Sequence, residues 1–211
     1  MTHPAADRII GLYQDKAADW IRDRGSALRG REGDRDQGDW DEAAWLDRFT
    51  AGWPPDAHVL DVGCGSGWPM GAALLARGFK VIGLDASPGL IVHARATLPD
   101  GDWRLGDMRQ DLPAGVFHGV LAWHSLFHLT PEAQTRLLPA LAARVAEGGR
   151  LMFTAGPAHG EAIGEWRGEP LYHGSLAPEA YRGLLTEAGL TVGNGGDQGV
   201  WLARRAILSA K

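Results

Sequence analysis

Cysteine is nearly absent from this sequence, because only Cys64 among its 211 residues is a cysteine. An intramolecular disulfide is therefore impossible, and a reducing compartment is permitted. No run of about 18 consecutive apolar residues occurs, so we expect no transmembrane helix and no membrane partner. The amino terminus also lacks the basic and long apolar regions of a signal peptide, which makes the cytoplasm the expected location.

An excess of positive charge is also missing. The chain carries 21 basic and 26 acidic side chains, a formal net charge of −5. Proteins that bind duplex nucleic acid usually carry a basic stripe, so nucleic acid is not an expected partner. Apolar residues make up 45% of the chain, which excludes a wholly disordered protein.

Strand and helix patterns alternate through the middle of the chain. Strands are predicted at 58–62, 80–84, 102–105, 119–123 and 150–154, with helices at 68–77, 88–98 and 131–146. Two more strands, at 190–192 and 200–206, are predicted to pair antiparallel. This order predicts an α/β fold: a Rossmann-like doubly wound sheet of seven strands, mostly parallel with an antiparallel C-terminal strand, and helices on both faces.

The flanking segments predict the organisation of the rest of the chain, which we expect to be one domain over 1–211. Residues 1–50 are predicted to be a helical cap, with a helix at 5–23 and a solvated, mobile loop at 24–39. A cofactor-binding core is predicted at 58–155. Residues 156–211 are predicted to be an acceptor-side segment, irregular at 156–174, followed by a helix at 178–188 and a C-terminal hairpin.

The strongest local signal is the glycine-rich turn Gly63-Cys64-Gly65-Ser66-Gly67, which directly follows an apolar strand and precedes a helix. Glycines let backbone approach a ligand closely, and the helix N-terminus offers unpaired amides. Asp85 ends the next strand, 18 residues after Gly67. From that position a carboxylate can accept hydrogen bonds from both hydroxyls of a ribose.

Two classes of cofactor use this layout. A dinucleotide site requires a third glycine for close packing of helix on strand, but here Trp68 occupies that position. We expect its side chain to crowd the packing, which disfavours a Rossmann oxidoreductase. Cofactors of the other class have no pyrophosphate. The carboxylate of such a cofactor can lie at the helix N-terminus, and its ribose can bind Asp85.

Several further segments carry a family resemblance. They are 61–67, Asp85, 106–108, 122–129 and 147–151, which together span most of 58–155. With them the chain resembles the class I S-adenosylmethionine-dependent methyltransferases, of the small-molecule type similar to methyltransferase types 11 and 12. The resemblance is specific for the cofactor and nearly silent about the methyl acceptor.

The resemblance implies roles for individual residues around S-adenosylmethionine. It places an aromatic lid at Tyr13, the amino acid end of the cofactor at Asp61, the ribose at Asp85 and the adenine at Asp107 and Met108. The complete set of cofactor-binding candidates is Tyr13, Asp61, Gly63, Cys64, Gly65, Asp85, Ala86, Ser87, Asp107, Met108 and Trp123.

Histidines supply the candidates for proton transfer, because neutral imidazole has the right pKa range for a general base. His124 is the first candidate, followed by His128 and His173; relatives often have an acid at the position of His124. The candidates for substrate binding are His159, Glu165 and Tyr172. His124 and His128 have the spacing of two metal ligands, but no clear third ligand accompanies them, so no metal is predicted.

The predicted reaction is in-line transfer of a methyl group to a small-molecule acceptor, with catalysis by positioning and desolvation. Three alternatives stay open: a transferase of another group or a cyclase using the same cofactor, an oxidoreductase, and a non-catalytic cofactor-binding module. The chain has no Asn-Pro-Pro-Tyr-like stretch, which in this family is a feature of amino-group methylation of nucleic acid and protein. It also carries a net negative charge. Both observations favour a small molecule as the acceptor. The sequence makes no prediction about oligomeric state.

Overall fold

The computed structural model describes residues 4–24, 41–193, 196 and 199–207. Its strands are β1 His58–Val62, β2 Lys80–Asp85, β3 Asp102–Leu105, β4 Phe117–Ala122, β5 Val145–Thr154, β6 Gly160–Trp166, β7 Glu169–Ser175, β8 Leu190–Val192 and β9 Val200–Arg205. Seven of these form one sheet in the order β3-β2-β1-β4-β5-β9-β8. β1, β2, β3, β4 and β5 pair in parallel, whereas β9 runs antiparallel to β5. The predicted fold class is therefore confirmed.

The helices within the described residues are α1 Pro4–Asp15, α2 Ala17–Arg24, α3 Glu42–Thr50, α4 Met70–Ala76, α5 Pro88–Thr97, α6 Pro131–Ala143 and α7 Pro178–Glu187. The single helix predicted at 5–23 is two helices, which meet at Lys16. The helix predicted at 131–146 ends earlier, because β5 already begins at Val145. None of these helices combines the length and apolar character needed to cross a bilayer.

The segment predicted to be irregular at 156–174 contains an antiparallel hairpin of β6 and β7. Its turn is Arg167-Gly168, and both residues have positive φ angles, of 52° and 79°. Positive φ at both central residues is typical of the type I′ turn, which suits the twist of a hairpin. The irregular prediction was wrong here because Arg-Gly is not one of the usual dipeptides of that turn.

The hydrophobic core lies on both faces of the main sheet. Each residue of β1 after His58 is buried, as expected for a central parallel strand covered by helices on both sides. Trp201 stacks on Phe153 with ring centroids 5.9 Å apart, and Tyr181 packs against both rings. This packing fixes the antiparallel strand β9 against β5. The loop predicted at 24–39 lies, except for Arg24, outside the described residues.

Candidate active site

The strand order places a crevice between β1 and β4. From β1 the chain proceeds to β2 and β3 on one side, and it returns to β4 and β5 on the other. Ligands of doubly wound sheets bind at such a point, outside the carboxyl ends of the strands. A cavity of about 90 Å³ lies there, and we call it the switch-point cavity. It is lined by the glycine turn, by residues that follow β2, β3 and β4, and by α1 and α2.

The glycine turn presents bare backbone to the switch-point cavity. Gly63 and Gly65 have positive φ angles, of 73° and 57°. A Cβ atom on Gly63 would lie 2.3 Å from the Cβ of Ser125, and one on Gly65 would lie 3.1 Å from Nε1 of Trp20. The backbone conformation therefore favours glycine at both positions, and at Gly63 the available space requires it.

Asp85 is tied to the same turn. Its Oδ2 accepts a hydrogen bond from the backbone amide of Gly65 at 2.8 Å, and its Oδ1 accepts one from Ser87 at 2.9 Å. Burial raises the pKa of Asp85, and the backbone amides of Ser87, Gly65 and Ala86 oppose that shift. A carboxylate offers about four lone-pair sites, so the side chain can accept further bonds from a ligand in the cavity.

Asp61 is the second buried carboxyl group near the turn, with 3% of its surface exposed. Burial, reinforced by the charge of Asp85, raises its pKa to about 7. It lines a smaller cavity of about 40 Å³, the turn cavity, together with Arg24, Cys64 and Trp123. Cys64 is buried, and burial raises the pKa of its thiol well above the usual range, so it is unsuited to act as a nucleophile.

Asp107 and Met108 line the opposite end of the switch-point cavity. The carboxylate of Asp107 accepts hydrogen bonds from Nε and Nη2 of Arg109 at 2.9 and 2.6 Å. Burial opposes ionisation of Asp107, but the contacts with Arg109 dominate and lower its pKa. Asp107 is therefore a charged hydrogen-bond acceptor beside the cavity. An amino group of a ligand would share this carboxylate with Arg109.

Aromatic side chains from the N-terminal helices and the hairpin cover the switch-point cavity. Tyr13 stacks on Trp166 at a centroid distance of 5.8 Å, and Trp20 meets both rings edge to face. Polar contacts reinforce this cover: Asp23 accepts from Nε1 of Trp166 at 3.2 Å and from two nitrogens of Arg167. The helical cap and the hairpin are thus joined directly above the site.

His128 is held between two partners. The carbonyl of Tyr172 lies 3.0 Å from its Nδ1, and the hydroxyl of Tyr13 lies 2.8 Å from its Nε2. Burial lowers the pKa of His128 to about 4, so the ring is neutral at neutral pH. His173 stacks on it with centroids 5.4 Å apart, and burial lowers the pKa of His173 as well.

His124 faces the turn side of the site and has an unusual backbone conformation. Its φ angle is 51°, and its amide donates to Oγ1 of Thr154 at 2.9 Å. Its Nε2 lies 3.9 Å from Oε1 of Glu42, a carboxylate that also accepts from Nε1 of Trp123 at 3.0 Å. Strained backbone of this kind is common at functional sites, where the surrounding structure holds it in place.

A third and larger cavity, of about 690 Å³, lies between the end of β5 and the base of the hairpin. This hairpin cavity is lined by Phe127, His159, Glu161 and His173, among mostly small residues. Phe127 and His173 also contact His128, which lines the switch-point cavity, so these rings lie between the two cavities.

The remaining substrate-binding candidates lie elsewhere. Tyr172 is fully buried, and its hydroxyl donates to Glu161. Glu165 is exposed on β6 and lines neither of these two cavities. Within the described part of the chain, no group of three or more histidine, cysteine or acidic side chains could hold a metal ion.

The structure adds residues that sequence reasoning missed. They are Trp20, Arg24 and Ser125, which line the cavities at the turn, and Glu42, which contacts Arg24 and Trp123. Ser125 donates to the carbonyl of Val62 at 2.7 Å. No local signal marks Trp20, Arg24 or Glu42 as site residues, because the site joins distant parts of the chain.

The expected effect of Trp68 was wrong. Its indole nitrogen donates to Oγ1 of Thr97, at the end of α5, at 3.1 Å. The close packing of helix and strand is achieved instead at Gly67 and Gly71, where an added Cβ would lie within 3 Å of Trp103. Trp68 therefore does not crowd the contact between this helix and the sheet.

Residues 59–149 match a family described as a methyltransferase domain. The match begins one residue into β1 and ends within β5, so it contains the glycine turn, Asp85, Asp107 and the two histidines that follow β4, His124 and His128. The family resemblance predicted from the sequence is thereby confirmed.

Curated proteins with similar sequences are methyltransferases as well. The chain is 34% identical over 154 residues to a trans-aconitate 2-methyltransferase of Methylobacterium radiotolerans, covering 64% of this chain and 58% of that one. It is 37% identical over 111 residues to a protein-L-isoaspartate O-methyltransferase of Anaeromyxobacter dehalogenans, covering 50% of each. The chain thus spans little more than half the length of these relatives.

Solved structures share the whole fold at low identity. Magnesium protoporphyrin IX methyltransferase from Synechocystis, with bound S-adenosylhomocysteine, has a TM-score of 0.69 at 16% identity and covers 96% of this chain and all of that one. The sugar N-methyltransferase KedS8 from Streptoalloteichus has a TM-score of 0.67 at 18% identity, covering 90% and 92%. At such identities the likeness establishes the fold alone.

Proposed function

We propose that the protein is an S-adenosylmethionine-dependent methyltransferase that acts on a small molecule, with the chain working as a single domain. One observation carries this proposal: the backbone amide of Gly65, in the glycine turn, donates a hydrogen bond to Asp85 at the switch point of the sheet. The match of residues 59–149 to a methyltransferase domain supports it, as do the solved relatives crystallised with S-adenosylmethionine or its product.

The residues present fit this cofactor. Gly63 and Gly65 leave bare backbone where a methionine chain would pass, and Asp85 is a hydrogen-bond acceptor for a ribose. Sites for molecules of this size usually enclose about 300 Å³ or more, whereas the switch-point cavity has about 90 Å³. We therefore expect the lining to open when the cofactor binds, and Trp20 of α2, which lies over Gly65, is the side chain that we expect to move.

When bound, the cofactor supplies a methyl group on a sulfonium, which is a good leaving group. The chain then has to orient the acceptor and exclude water. Tyr13, Trp20 and Trp166 supply the cover that excludes water. Where the acceptor carries a proton, neutral His128 can accept it at Nε2, either directly or through the hydroxyl of Tyr13.

We infer that the acceptor occupies the hairpin cavity and reaches the methyl group past Phe127 and His173. Among the described residues that line this cavity there is one carboxylate, Glu161, and no lysine or arginine. Nearby guanidinium groups are already paired, as Arg167 is with Asp23. This charge pattern favours a neutral or amine-bearing acceptor over a polycarboxylate such as the aconitate named for one relative.

Calorimetric titration with S-adenosylmethionine and with S-adenosylhomocysteine tests the cofactor assignment. We expect one-to-one binding of both in the wild type and a loss of at least about tenfold in Asp85→Ala, because the ribose then loses its charged acceptor. Absence of binding to either compound in the wild type contradicts the proposal. Detection of S-adenosylhomocysteine in reactions with acceptors supports methyl transfer, whereas methylthioadenosine indicates transfer of another group.

A further inference from the structure

One glutamine interrupts the apolar inner face of α6. Residues spaced three or four apart are buried along this face, and they are Pro131, Gln134, Leu137, Leu138 and Leu141. Gln134 is the polar member of this set, and its side chain is fully buried. Burial of an amide is unfavourable unless its donors and its acceptor are bonded, so the partners of Gln134 must compensate that cost.

The amide of Gln134 joins two distant segments of backbone. Its Nε2 donates to the carbonyl of Leu129 at 2.8 Å and to the carbonyl of Gly174 at 2.8 Å. Its Oε1 accepts from the hydroxyl of Tyr181. Backbone carbonyls can only accept, so the orientation of the amide is determined and both of its N–H donors are used.

These two carbonyls come directly after two stacked histidines. Leu129 follows His128, which ends a short 3₁₀ helix, and Gly174 follows His173 on β7. The rings of His128 and His173 stack with centroids 5.4 Å apart, and Nδ1 of His128 lies 3.0 Å from the carbonyl of Tyr172. His128 lines the switch-point cavity and His173 lines the hairpin cavity, so Gln134 bonds to the backbone of both walls.

The same two segments also approach each other closely at a glycine. A Cβ atom on Gly174 would lie 2.6 Å from the carbonyl oxygen of Leu129, which is closer than a Cβ atom can come. The spacing between the segments is therefore set by the backbone itself, independently of the amide of Gln134. A glycine on β7 and a glutamine on α6 thus both act where the two histidine-bearing segments meet.

We propose that Gln134 is a positioning residue for methyl transfer, which holds the rings of His128 and His173 in place between the cofactor and the acceptor by bonding to both carbonyls. This inference rests on the proposed function and adds a residue that lines neither cavity. Without the amide, β7 can shift relative to His128, and the carbonyl of Tyr172 no longer stays within bonding distance of Nδ1. The neutral ring of His128 then samples both tautomers.

NMR of the imidazole nitrogens tests this role, because it reports which nitrogen of His128 carries the proton. In the free wild type at neutral pH we expect one neutral tautomer with the proton on Nδ1, since the carbonyl of Tyr172 can only accept. The spectrum of His128→Asn identifies the signal among the eight histidines. In Gln134→Met, which keeps the length of the side chain without its donors, we expect the signal of a mixture of tautomers.

Leu138→Ala is the matched control, because Leu138 is fully buried on the same helix and its apolar side chain bonds to neither carbonyl. This variant should lose stability and keep the wild-type signal of His128. Retention of that signal in Gln134→Met overturns the role of Gln134. Loss of the signal in Leu138→Ala as well also overturns it, because the effect is then a general loosening of α6.

A second variant guards against misfolding of Gln134→Met. Gln134→Asn keeps the amide but is one methylene shorter, so we expect it to reach only one of the two carbonyls and to change the same signal. An unchanged signal of His128 in Gln134→Asn overturns the role of Gln134.

Titration with S-adenosylhomocysteine separates this inference from the proposed function. Because Gln134 lies outside both cavities, the affinity of Gln134→Met should stay within about threefold of the wild type. A larger loss shows that the whole site is disrupted and overturns a role confined to the histidines. Failure of the wild type to bind S-adenosylhomocysteine overturns the proposed function, whereas the spectrum of the free protein still shows whether Gln134 holds the ring of His128.

Discussion

The hydroxyl of Tyr13 lies 2.8 Å from Nε2 of His128, across 115 residues of sequence. On the other side of the ring, the carbonyl of Tyr172 can only accept a hydrogen bond, so Nδ1 of His128 carries the proton. In the neutral ring Nε2 is then an acceptor, and the hydroxyl of Tyr13 donates to it. The helical cap thereby presents a hydroxyl, backed by a neutral base, directly above the switch-point cavity.

Removal of the Tyr13 hydroxyl tests this pair. Tyr13→Phe retains the ring that stacks on Trp166 but deletes the donor to His128. We expect cofactor affinity to change by less than about threefold, and turnover on a protonated acceptor to fall by about tenfold or more. Titration and steady-state kinetics measure the two effects separately. Unchanged turnover, with cofactor affinity also unchanged, argues against a proton-transfer role for the pair.

The neutral state of His128 has a consequence for stability below neutral pH. Its folded pKa is about 4 and its ordinary value is 6.5, so between these values the unfolded chain binds a proton that the folded protein does not. The free energy of unfolding should therefore fall as the pH decreases from 6.5 to 4, by up to about 3 kcal/mol from this group. Above pH 6.5 the group contributes no pH dependence.

Chemical denaturation across this pH range measures the slope. In His128→Asn the slope between pH 4 and 6.5 should be lower by about one proton, whatever the absolute stability of the variant. If the His128 variant retains the full slope, the acid sensitivity has another source.

Asp61 should show the opposite sign. Its folded pKa of about 7 lies above the ordinary value of 3.8, so the folded protein retains a proton that the unfolded chain has released. This group therefore lowers stability as the pH rises from about 4 to 7. Asp61→Asn should unfold with a free energy higher by as much as about 4 kcal/mol at pH 8, and the gain should vanish near pH 4.

The same substitution should weaken binding of the cofactor. Asp61 would then contribute to binding while it lowers the free energy of unfolding. We expect Asp61→Asn to bind S-adenosylhomocysteine at least about tenfold more weakly, because the ammonium group of that ligand then loses a charged partner. Denaturation and titration on the same preparation measure both effects. A variant that gains stability and keeps full affinity removes Asp61 from the binding site.

The contact between the hairpin tip and α2 should slow release of the cofactor. Arg167 bonds to both carboxylate oxygens of Asp23, at the protein surface. We expect Arg167→Ala to speed dissociation of S-adenosylhomocysteine by about two- to fivefold, with a smaller effect at high salt. Stopped-flow fluorescence of the nearby tryptophans can measure this rate. Arg104→Ala, which removes a surface pair with Asp102 on β3, serves as the control and should leave the rate unchanged.

The charge of the hairpin cavity predicts a preference among acceptors. In matched panels that share a carbon skeleton, amines and neutral compounds should be methylated at least about tenfold faster than di- and tricarboxylates, since Glu161 repels anions. Glu161→Gln should narrow this difference without changing the affinity for S-adenosylhomocysteine. Faster methylation of the carboxylates by the wild type contradicts the assignment of this cavity.

The hairpin shows where local patterns fail. β6 has two glycines among seven residues, and its turn lacks the Asn-Gly or Asp-Gly pair that marks a hairpin. Pairing with β7 supplies what the local sequence does not, because the strand is completed by hydrogen bonds to another segment. The strands of the main sheet were predicted closely, since short apolar runs between glycines are themselves a local signal.

The sequence by itself determined the glycine turn, the acid at the end of β2 and the alternation of strands and helices, because each depends on residues close together in the chain. Only the tertiary structure decided which tautomer His128 adopts, which partner holds Arg24 and which rings cover the site. These properties arise from contacts of Tyr13 with His128 and of Glu42 with Trp123, which are 115 and 81 residues apart. Such contacts form only once the sheet has brought the cap and the loops together. They therefore cannot be predicted from the periodicity of the sequence.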